Sequence, residues 1–499
     1  MKNQPIWYSY SDNPGYPELK ENIAVEVAII GAGITGISSA HFLKEKGVKT
    51  AVIEARSLGK GSTGQSTGNL YFHTDELISD LISNYKEEDI NFLFKYRNEA
   101  LDKIEEIINS FQINCDFHRV PAIVFQDGNQ KVLFREYKAL NQLGISYSQT
   151  THNEVPVPHA IGYKLAEQAQ FNPLIFVEEL ANKINSPECL IFENSPVREI
   201  QEKEGNVILK TDKAKVTAKY VIQATHTPKG IELQYHSTLG PYREYGVCYK
   251  LNNKNVPPGI FWGYFGKDKF SFRSYQRGDE QFLIVIGQPH KVGQFENNDQ
   301  KIKQLIDFAQ EHFEVGELLN VWGGQNYKSA DLFPFIGRKS DNSNQYVASG
   351  FSTSGLVYGS MAADLITREI ISQKPVIPER FKASRSQPVK SAKNFLKENI
   401  NTASQVVKDL LSKPELDGLD KIEPGEGKIL KINNKTQAVY KNSEGLVTSF
   451  SAKCPHMGCI VHWNTLEKSW DCPCHGSRFS ISGEVIEGPA LNGLENPDT

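Results

Sequence analysis

The sequence lacks the features that would tie it to a membrane, to secretion or to nucleic acid. No run approaches the ~18 consecutive apolar residues of a transmembrane helix. The first 22 residues contain no apolar core of the kind found in secretory signals. Lysine and arginine number 55 against 59 aspartates and glutamates, so the net charge of −4 gives no bias toward nucleic acid. We therefore expect a cytoplasmic protein with no transmembrane segment and no nucleic-acid partner.

Cysteine is also scarce, with seven in 499 residues. Cys115, Cys189 and Cys248 are scattered along the chain, and isolated cysteines of this kind are typically small buried hydrophobic residues. The other four all lie between residues 454 and 474. A chain of this length exceeds a single hydrophobic core, so two or three domains are expected.

A glycine motif stands near the amino terminus, in "VEVAIIGAGITGISSAHFLKEKGVKTAVIEA". The pattern predicts strand, turn, helix and strand, with Gly31, Gly33 and Gly36 as the glycines of GxGxxG. These glycines permit the turn, admit a pyrophosphate and let the helix pack closely on the strand. Glu54 follows Gly36 by 18 residues, where an acidic side chain accepts hydrogen bonds from ribose hydroxyls. The motif predicts a dinucleotide site that favours FAD or NAD over NADP; an ordinary glycine turn is the alternative.

The segment after Glu54, "ARSLGKGSTGQSTGNL", favours FAD over NAD. It holds more glycine, serine and threonine than a simple loop requires. We therefore predict that Ala55, Ser62, Ser66 and Thr67 line the phosphate and flavin ends of the cofactor. No second GxGxxG strand–helix unit occurs in the sequence, so no NAD(P)H site is predicted.

Three later segments extend this pattern: "QAQFNPLIFVEELANKI", "WGGQNYKSADLFPFIGR" and "YVASGFSTSGLVYGSMAADLITREI". Together with the glycine motif, they resemble the D-amino-acid oxidase, glycine oxidase and sarcosine oxidase superfamily of FAD-dependent amine oxidoreductases. The resemblance implies an α/β fold, in which an FAD-binding Rossmann-like domain carries an antiparallel-sheet substrate domain. It also implies further FAD contacts, from Val197, Ala224, Thr225, Gly350 and Gly355.

The resemblance also suggests domain boundaries. Within a flavoprotein domain over 1–385, the FAD-binding parts are expected at about 24–90, 160–235 and 325–385, and the substrate sheet at about 236–324. Apolar residues at helical spacing among lysines predict one or two bridging helices in a linker over 386–415. Short strands with Gly and Asn turns then predict a small all-β domain over 416–499.

One departure from the superfamily concerns how FAD is held. In the dimethylglycine dehydrogenase branch, a histidine after the ribose glutamate bonds covalently to the flavin. The matching position here is Gln65, which cannot form that bond. The FAD is therefore expected to be non-covalent.

The expected substrate is a small amine or amino acid. Arg273 and Arg277 lie on predicted strands of the substrate sheet, and a guanidinium group can bind a carboxylate through two hydrogen bonds. Tyr264, Tyr275 and His290 are further candidates for the pocket. For each of the five, the alternative is a strand residue that faces solvent or packs in the core. Hydride transfer to a flavin depends on positioning more than on an acid or base, so no catalytic triad is expected.

The cysteine-rich segment contains "CPHMGC" and "CPCHGS". Cys454 and His456 in the first loop and Cys472 and His475 in the second have the spacing of a Rieske [2Fe–2S] centre, in which two thiolates hold one iron and two imidazoles the other. Zinc also accepts two cysteines and two histidines, but zinc fingers usually pair cysteine with cysteine. A Rieske cluster is the favoured interpretation, and zinc is the alternative.

This domain resembles the Rieske proteins of cytochrome bc complexes. The resemblance implies a disulfide between Cys459 and Cys474, which could instead remain buried thiols, and histidine ligands that reach solvent. Ser477 resembles the serine that donates a hydrogen bond to a bridging sulfide. Phe479 stands where the bc-type pattern has a tyrosine, so we expect a reduction potential below the top of the Rieske range.

The two halves together predict an electron path from substrate to FAD, then to the cluster, then to a soluble acceptor. The acceptor could also be O₂ reacting at the flavin. The alternative is a redox-sensing or electron-transfer protein that turns over no amine. A Rieske oxygenase would need a mononuclear iron site, for which no compact motif stands out in the sequence.

Overall fold

Two large sheets and two small ones organise the chain. The computed structural model describes all residues except 14, 129–130, 152–153, 253–255, 267, 295–297, 386–414, 417 and 498–499. The α-helices are α1 Ile34–Glu45, α2 Ile78–Asn84, α3 Glu87–Phe111, α4 Lys131–Gln142, α5 Pro173–Ile184, α6 Leu233–His236, α7 Asn298–His312 and α8 Gly355–Ser372. Short 3-10 helices cover Ile6–Tyr10, Glu379–Phe381 and Leu419–Lys421.

The first large sheet has eight strands and forms the FAD-binding half. Its strands are Ile23–Ile30, Thr50–Ile53, Cys189–Phe192, Glu199–Lys203, Asn206–Lys210, Lys215–Gln223, Phe335–Arg338 and Gln345–Ser349. The strand Ile23–Ile30 pairs in parallel with Thr50–Ile53 on one side and Lys215–Gln223 on the other. Its last four residues are buried because helices and loops cover both faces of the sheet. The predicted strand–turn–helix–strand unit is present.

The second large sheet has nine strands, mostly antiparallel. They are Asn69–Leu70, His118–Gln126, Ser148–Gln149, Ile161–Gln170, Leu239–Leu251, Ile260–Phe265, Asp268–Arg277, Glu280–Lys291 and Val315–Ser329. The sheet is wider than the predicted span of 236–324, because His118–Gln126 pairs with Ile260–Phe265 and brings Ile161–Gln170 with it. The expected boundaries place 161–170 in the FAD-binding part, but this pairing places the strand in the substrate sheet.

The part of the chain from residue 415 onward consists of two four-stranded sheets. We call it the carboxyl-terminal half, although it is much the smaller of the two parts. One contains Glu415–Leu416, Glu426–Ile432, Lys435–Lys441 and Val447–Ser451, and the other His462–Asn464, Ser469–Asp471, Arg478–Phe479 and Val485–Glu487. This is the small all-β domain predicted from the sequence. The predicted bridging helices lie outside the described residues, apart from Glu415, which begins a strand. No helix in the described part of the chain is both long and apolar enough to cross a membrane.

Candidate functional site

A cavity of about 1030 Å³ lies where the two large sheets meet the carboxyl-terminal half. Eleven of the thirteen residues predicted to contact FAD line it: Gly31, Gly33, Glu54, Ala55, Ser62, Ser66, Thr67, Val197, Ala224, Thr225 and Gly355. Gly36 and Gly350 lie outside this lining. The cavity is large enough for a dinucleotide with a small molecule beside it.

The glycine motif holds the amino terminus of α1 against the strand that precedes it. Gly31 has a φ of +101°, and a Cβ there would lie 2.5 Å from the carbonyl oxygen of Ala224. A Cβ on Gly36 would lie 1.9 Å from the Gly31 carbonyl oxygen. Gly36 therefore acts in helix packing, the role that the motif assigns to its third glycine, and this explains why it does not line the cavity.

Polar groups along the cavity suit a bound dinucleotide. The Glu54 carboxylate accepts hydrogen bonds of 2.9 Å from the backbone N–H groups of Ala32 and Arg56, which fix it at the end of its strand. The oxygens Gln65 Oε1 and Asn69 Oδ1 are buried with no hydrogen-bond partner in the protein, although both residues line the cavity. Buried polar atoms normally have a partner. Their arrangement therefore fits a polar ligand such as FAD.

The helix α8 points its amino terminus at the other end of the cavity. Gly355 is its first residue, and no side chain caps its free N–H groups. A helix amino terminus carries a partial positive charge that favours an anion. The free end of α8 therefore opens onto the cavity and favours an anionic part of a bound ligand, whereas Gly350 forms the turn before it with a φ of +76°.

The four predicted cluster ligands converge in the carboxyl-terminal half. Cys454, His456, Cys472 and His475 are between 1% and 7% exposed. The Nδ1 atoms of both histidines are buried and have no hydrogen-bond partner, so both are free to bind a metal. The two thiols contact each other, and this contact, with further hydrogen bonds, lowers the pKa of Cys454. Two cysteine sulfurs beside two free imidazole nitrogens are the donor set that a Rieske [2Fe–2S] cluster requires.

The remaining two cysteines of this segment, Cys459 and Cys474, form a disulfide. Their sulfurs lie within 4.8 Å of the Cys472 sulfur, but a disulfide sulfur is not a thiolate ligand. Ser477 is fully buried; its hydroxyl contacts the Cys454 thiol and accepts a hydrogen bond of 3.1 Å from the Ala490 N–H. The disulfide therefore ties together the two loops that present the ligands.

Comparison with known families assigns both halves. Residues 26–369 match the model of the FAD dependent oxidoreductase family. The chain belongs to this family. Residues 415–498 match the Rieske [2Fe-2S] domain, so the second cofactor of this FAD-dependent oxidoreductase is a [2Fe–2S] cluster, not zinc.

Some named relatives are similar to nearly the whole chain, and others only to its FAD-dependent part. A putative Rieske 2Fe-2S iron-sulfur protein of Bacillus subtilis, YhfW, is 28% identical over 99% of this chain and 97% of its own length. The gamma-glutamylputrescine oxidoreductase of Escherichia coli is 29% identical over 46% of this chain and 55% of its own length. The crystal structure of a glycine oxidase from Geobacillus kaustophilus superposes with a TM-score of 0.61 at 16% identity, covering 73% of this chain and 100% of the glycine oxidase.

None of the five predicted substrate-site residues lines the cavity of this oxidoreductase. Arg273 is buried beyond its end and donates hydrogen bonds of 2.8 and 2.9 Å to the carbonyl oxygens of Thr67 and Gly68. It shares a strand face with Lys269 but lies further along the strand, where the loop around Thr67 covers it. Arg273 therefore holds the segment after Glu54, residues 55–70, which we call the cofactor loop, and is not free to bind a carboxylate.

The side chains of the other four candidates also make contacts with other residues of the protein. Tyr275 and Arg277 both donate hydrogen bonds to the Asp116 carboxylate, at 2.7 and 3.0 Å. Tyr264 lies under the Lys269 ammonium group, which is 5.4 Å from its ring centroid. His290 stacks on Tyr245 at 5.3 Å between ring centroids. These aromatic residues serve packing, the alternative given for them above.

Three charged residues that no sequence motif indicated also line the cavity: Glu244, Lys269 and Lys328. Lys269 lies 4.5 Å above the Trp262 ring and donates a hydrogen bond of 3.3 Å to the Asp75 carbonyl oxygen. Burial raises the pKa of Glu244 to about 7, and the charge of Asp75 adds to the rise. Lys328 is paired with the Glu76 carboxylate. A signal for Glu244 was available: it is the one acidic residue in the strand Leu239–Leu251, which is mostly aromatic and apolar.

The Rieske half docks on the FAD-dependent half through the cluster loops. The Tyr327 hydroxyl lies 3.1 Å from the carbonyl oxygen of His475 and 3.0 Å from that of Gly488. Arg243 of the FAD half is paired with Glu467 of the Rieske half. The expectation that the histidine ligands reach solvent is wrong in this structure, since His456 is 4% and His475 7% exposed. Domain docking, which the sequence does not reveal, buries both.

Proposed function

We propose that this protein oxidises a small amine or amino acid at its FAD and passes the electrons through the Rieske cluster to an acceptor outside the chain. The observation that carries the substrate assignment is that Lys269 and Glu244 line the same cavity and are near enough for their charges to interact. A buried ammonium group beside a carboxyl group matches a substrate that bears a carboxylate and an amine.

In this proposal, each side chain has a separate task. Lys269, held over Trp262, binds the substrate carboxylate. Glu244, when ionised, accepts the proton that the substrate nitrogen loses as the C–N bond becomes an imine. When bound, FAD supplies the hydride acceptor and the [2Fe–2S] cluster carries single electrons. Trp262 lines the same end of the cavity and keeps water from it.

The relation to an amine oxidoreductase supports the same assignment. The gamma-glutamylputrescine oxidoreductase aligns over roughly half of both chains, and its name describes a substrate that carries an amine. The contacts of Tyr327 and Arg243 with the Rieske half support an electron path inside the chain, because they hold the cluster loops against the FAD-binding half.

Anaerobic mixing tests the proposal. The purified holoprotein is mixed with a panel of amino acids, secondary amines and the matching amines without a carboxylate. Flavin absorbance is followed first and the EPR signal of the reduced cluster second. We expect both to change with one substrate class. Bleaching without a cluster signal would contradict the relay, and no bleaching with any amine would favour a redox-sensing role.

A variant of Lys269 tests more directly whether the substrate carboxylate binds there. Replacing Lys269→Gln removes one charged hydrogen bond to the carboxylate, worth about 1.5–3 kcal/mol. We expect the KM of an amino-acid substrate to rise roughly 10- to 150-fold, while the matching amine is unaffected. Equal effects on both compounds would contradict carboxylate binding at Lys269.

A further inference from the structure

A histidine of the FAD-binding half touches a predicted ligand of the cluster. His236, the last residue of α6, has its Nδ1 atom 3.1 Å from Nε2 of His456. Its ring also lies 5.7 Å, between centroids, from that of His475. Neither cluster motif nor FAD motif contains His236, and the proposed chemistry gives it no task.

The partners of His236 determine which nitrogen carries its proton. Nε2 lies 3.2 Å from the carbonyl oxygen of Pro228, which can only accept, so Nε2 must donate. Nδ1 lies 3.3 Å from the backbone N–H of Glu232, which can only donate, so Nδ1 must accept. His236 is therefore held as a neutral ring, and the lone pair of its Nδ1 atom is shared between the Glu232 N–H and the donor that faces it from His456.

The same reasoning then fixes the tautomer of His456. Because His236 Nδ1 accepts, His456 Nε2 must carry the proton and donate it. A neutral imidazole has only one N–H, so Nδ1 of His456 keeps its lone pair. That Nδ1 atom is the one that is buried with no protein partner.

The segment that carries His236 is itself fixed on both domains. The backbone N–H of Gly230 donates a hydrogen bond of 3.1 Å to the Pro489 carbonyl oxygen in the loop beside the cluster. The Gln234 side chain donates one of 3.0 Å to the Ala383 carbonyl oxygen. His236 is 5% exposed, so its contact with His456 is shielded from bulk solvent.

We propose that His236 is a positioning residue for the Rieske cluster: from the FAD-binding half, it accepts the Nε2 proton of His456 and holds that imidazole in the tautomer and orientation that present Nδ1 to iron. Hydrogen bonds of this kind orient a metal-bound histidine and raise its basicity. A more basic ligand stabilises the oxidised cluster. The inference does not depend on the identity of the substrate.

Two variants of nearly equal shape separate the hydrogen bond from packing. In His236→Asn, the side-chain oxygen can occupy the position of Nδ1 and accept the proton; in His236→Leu, the side chain offers no acceptor and the backbone of Gly230 is the partner left to His456. Both are prepared as full-length holoprotein, with iron and FAD content measured first. The midpoint potential of the cluster is then determined at one fixed pH, and the iron–histidine modes of the reduced cluster are recorded by resonance Raman.

The hydrogen bond predicts different results for the two variants. We expect His236→Asn to keep the wild-type potential and iron–histidine modes. We expect His236→Leu to raise the potential and shift those modes, or to lose the cluster while the Asn variant retains it. Equal shifts in both variants, loss of the cluster from both, or wild-type values in His236→Leu would overturn the proposal.

A third variant controls for loosening of the domain interface. Asn3 donates a hydrogen bond of 2.8 Å to the Leu466 carbonyl oxygen across the same interface, outside the two cluster loops. The Asn3→Ala variant should keep the wild-type potential. A rise equal to that of His236→Leu would attribute the effect to domain docking in general and overturn the specific role of His236.

Discussion

The Nδ1 atom of His226 lies 2.8 Å from Oε1 of Glu487 and so joins the FAD-binding half to the Rieske half. The same nitrogen is 2.9 Å from the Ser62 hydroxyl in the cofactor loop. Arg478, which follows the second cluster loop, places its guanidinium group 3.8 Å from the Glu487 carboxylate. One partly buried carboxylate thus connects the lining of the FAD cavity to the cluster loop.

Replacing Glu487→Gln should loosen this junction. Burial alone raises the pKa of Glu487, but the hydrogen bond and charge of His226, with the charge of Arg478, outweigh it and lower that pKa to about 2. Because the Glu487 side chain is 15% exposed, we expect its removal to destabilise the protein by about 1–3 kcal/mol, less than the loss of one partner from a fully buried ion pair. Chemical unfolding at pH 7 measures this loss. The exposed Glu444→Gln is the matched control, and equal stability of both variants would contradict the prediction.

The pH dependence of the same contribution has a definite sign. A depressed carboxyl pKa stabilises the fold above the unfolded value of about 4.3, and this stabilisation disappears as the pH falls toward 2. The difference in unfolding free energy between wild type and Glu487→Gln should therefore shrink below pH 4.3 and vanish near 2. A difference that grows as the pH falls would contradict the role assigned to the ionised carboxylate.

Glu244 should impose its own pH dependence on turnover. Since its pKa is raised to about 7, the carboxyl group is protonated below that pH and accepts a proton only above it. We expect kcat/KM for the proposed amine substrate to rise as the pH passes through about 7. In Glu244→Gln, the rate should fall and this inflection should disappear. An unchanged inflection in the variant would assign it to another group.

The sequence predicted those parts of the site whose residues are close together along the chain. Gly31, Gly36 and Glu54 belong to one continuous unit, whose local geometry defines the cofactor loop. Cys454 and His456 likewise belong to a single short loop. In such segments, the spacing along the chain nearly determines the spacing in the structure.

The parts that could not be predicted depend on how distant segments meet. Arg273 and Lys269 lie four residues apart on one strand, so their side chains share a face, but alternation does not tell how far along that face the cavity extends. Glu244 and Lys269 come from separate strands, and their proximity depends on the register of the sheet. His236 contacts the cluster ligand His456 only when the two domains dock. No pattern in the sequence indicates that contact.

The disulfide between Cys459 and Cys474 should stabilise the cluster loops. It closes a loop of 15 residues, for which the chain-entropy model gives about 3 kcal/mol. The Cys459→Ser, Cys474→Ser double variant should unfold at lower denaturant and lose iron faster. Wild type treated with a thiol reductant should match it, and iron loss at the wild-type rate in both would contradict the prediction.

The FAD should leave the protein when the fold is lost. Gln65 lines the cavity and contributes a free side-chain oxygen, but an amide does not form a bond to the flavin ring. After acid precipitation, we expect all flavin absorbance in the supernatant. Flavin retained in the washed precipitate would contradict non-covalent binding, and mass spectrometry of its peptides would then locate the attachment.

Phe479 should keep the potential of the cluster below the top of the Rieske range. Its ring is fully buried in the same apolar cluster as Cys454 and Cys472, but it has no donor for their sulfurs. Hydrogen bonds to sulfur stabilise the reduced cluster, and Rieske potentials reach about +300 mV. Phe479→Tyr should therefore raise the midpoint potential in a redox titration followed by EPR. Phe450→Tyr, a ring in the same domain, should not change it; an equal rise in both would show that the added hydroxyl acts without a specific bond to sulfur.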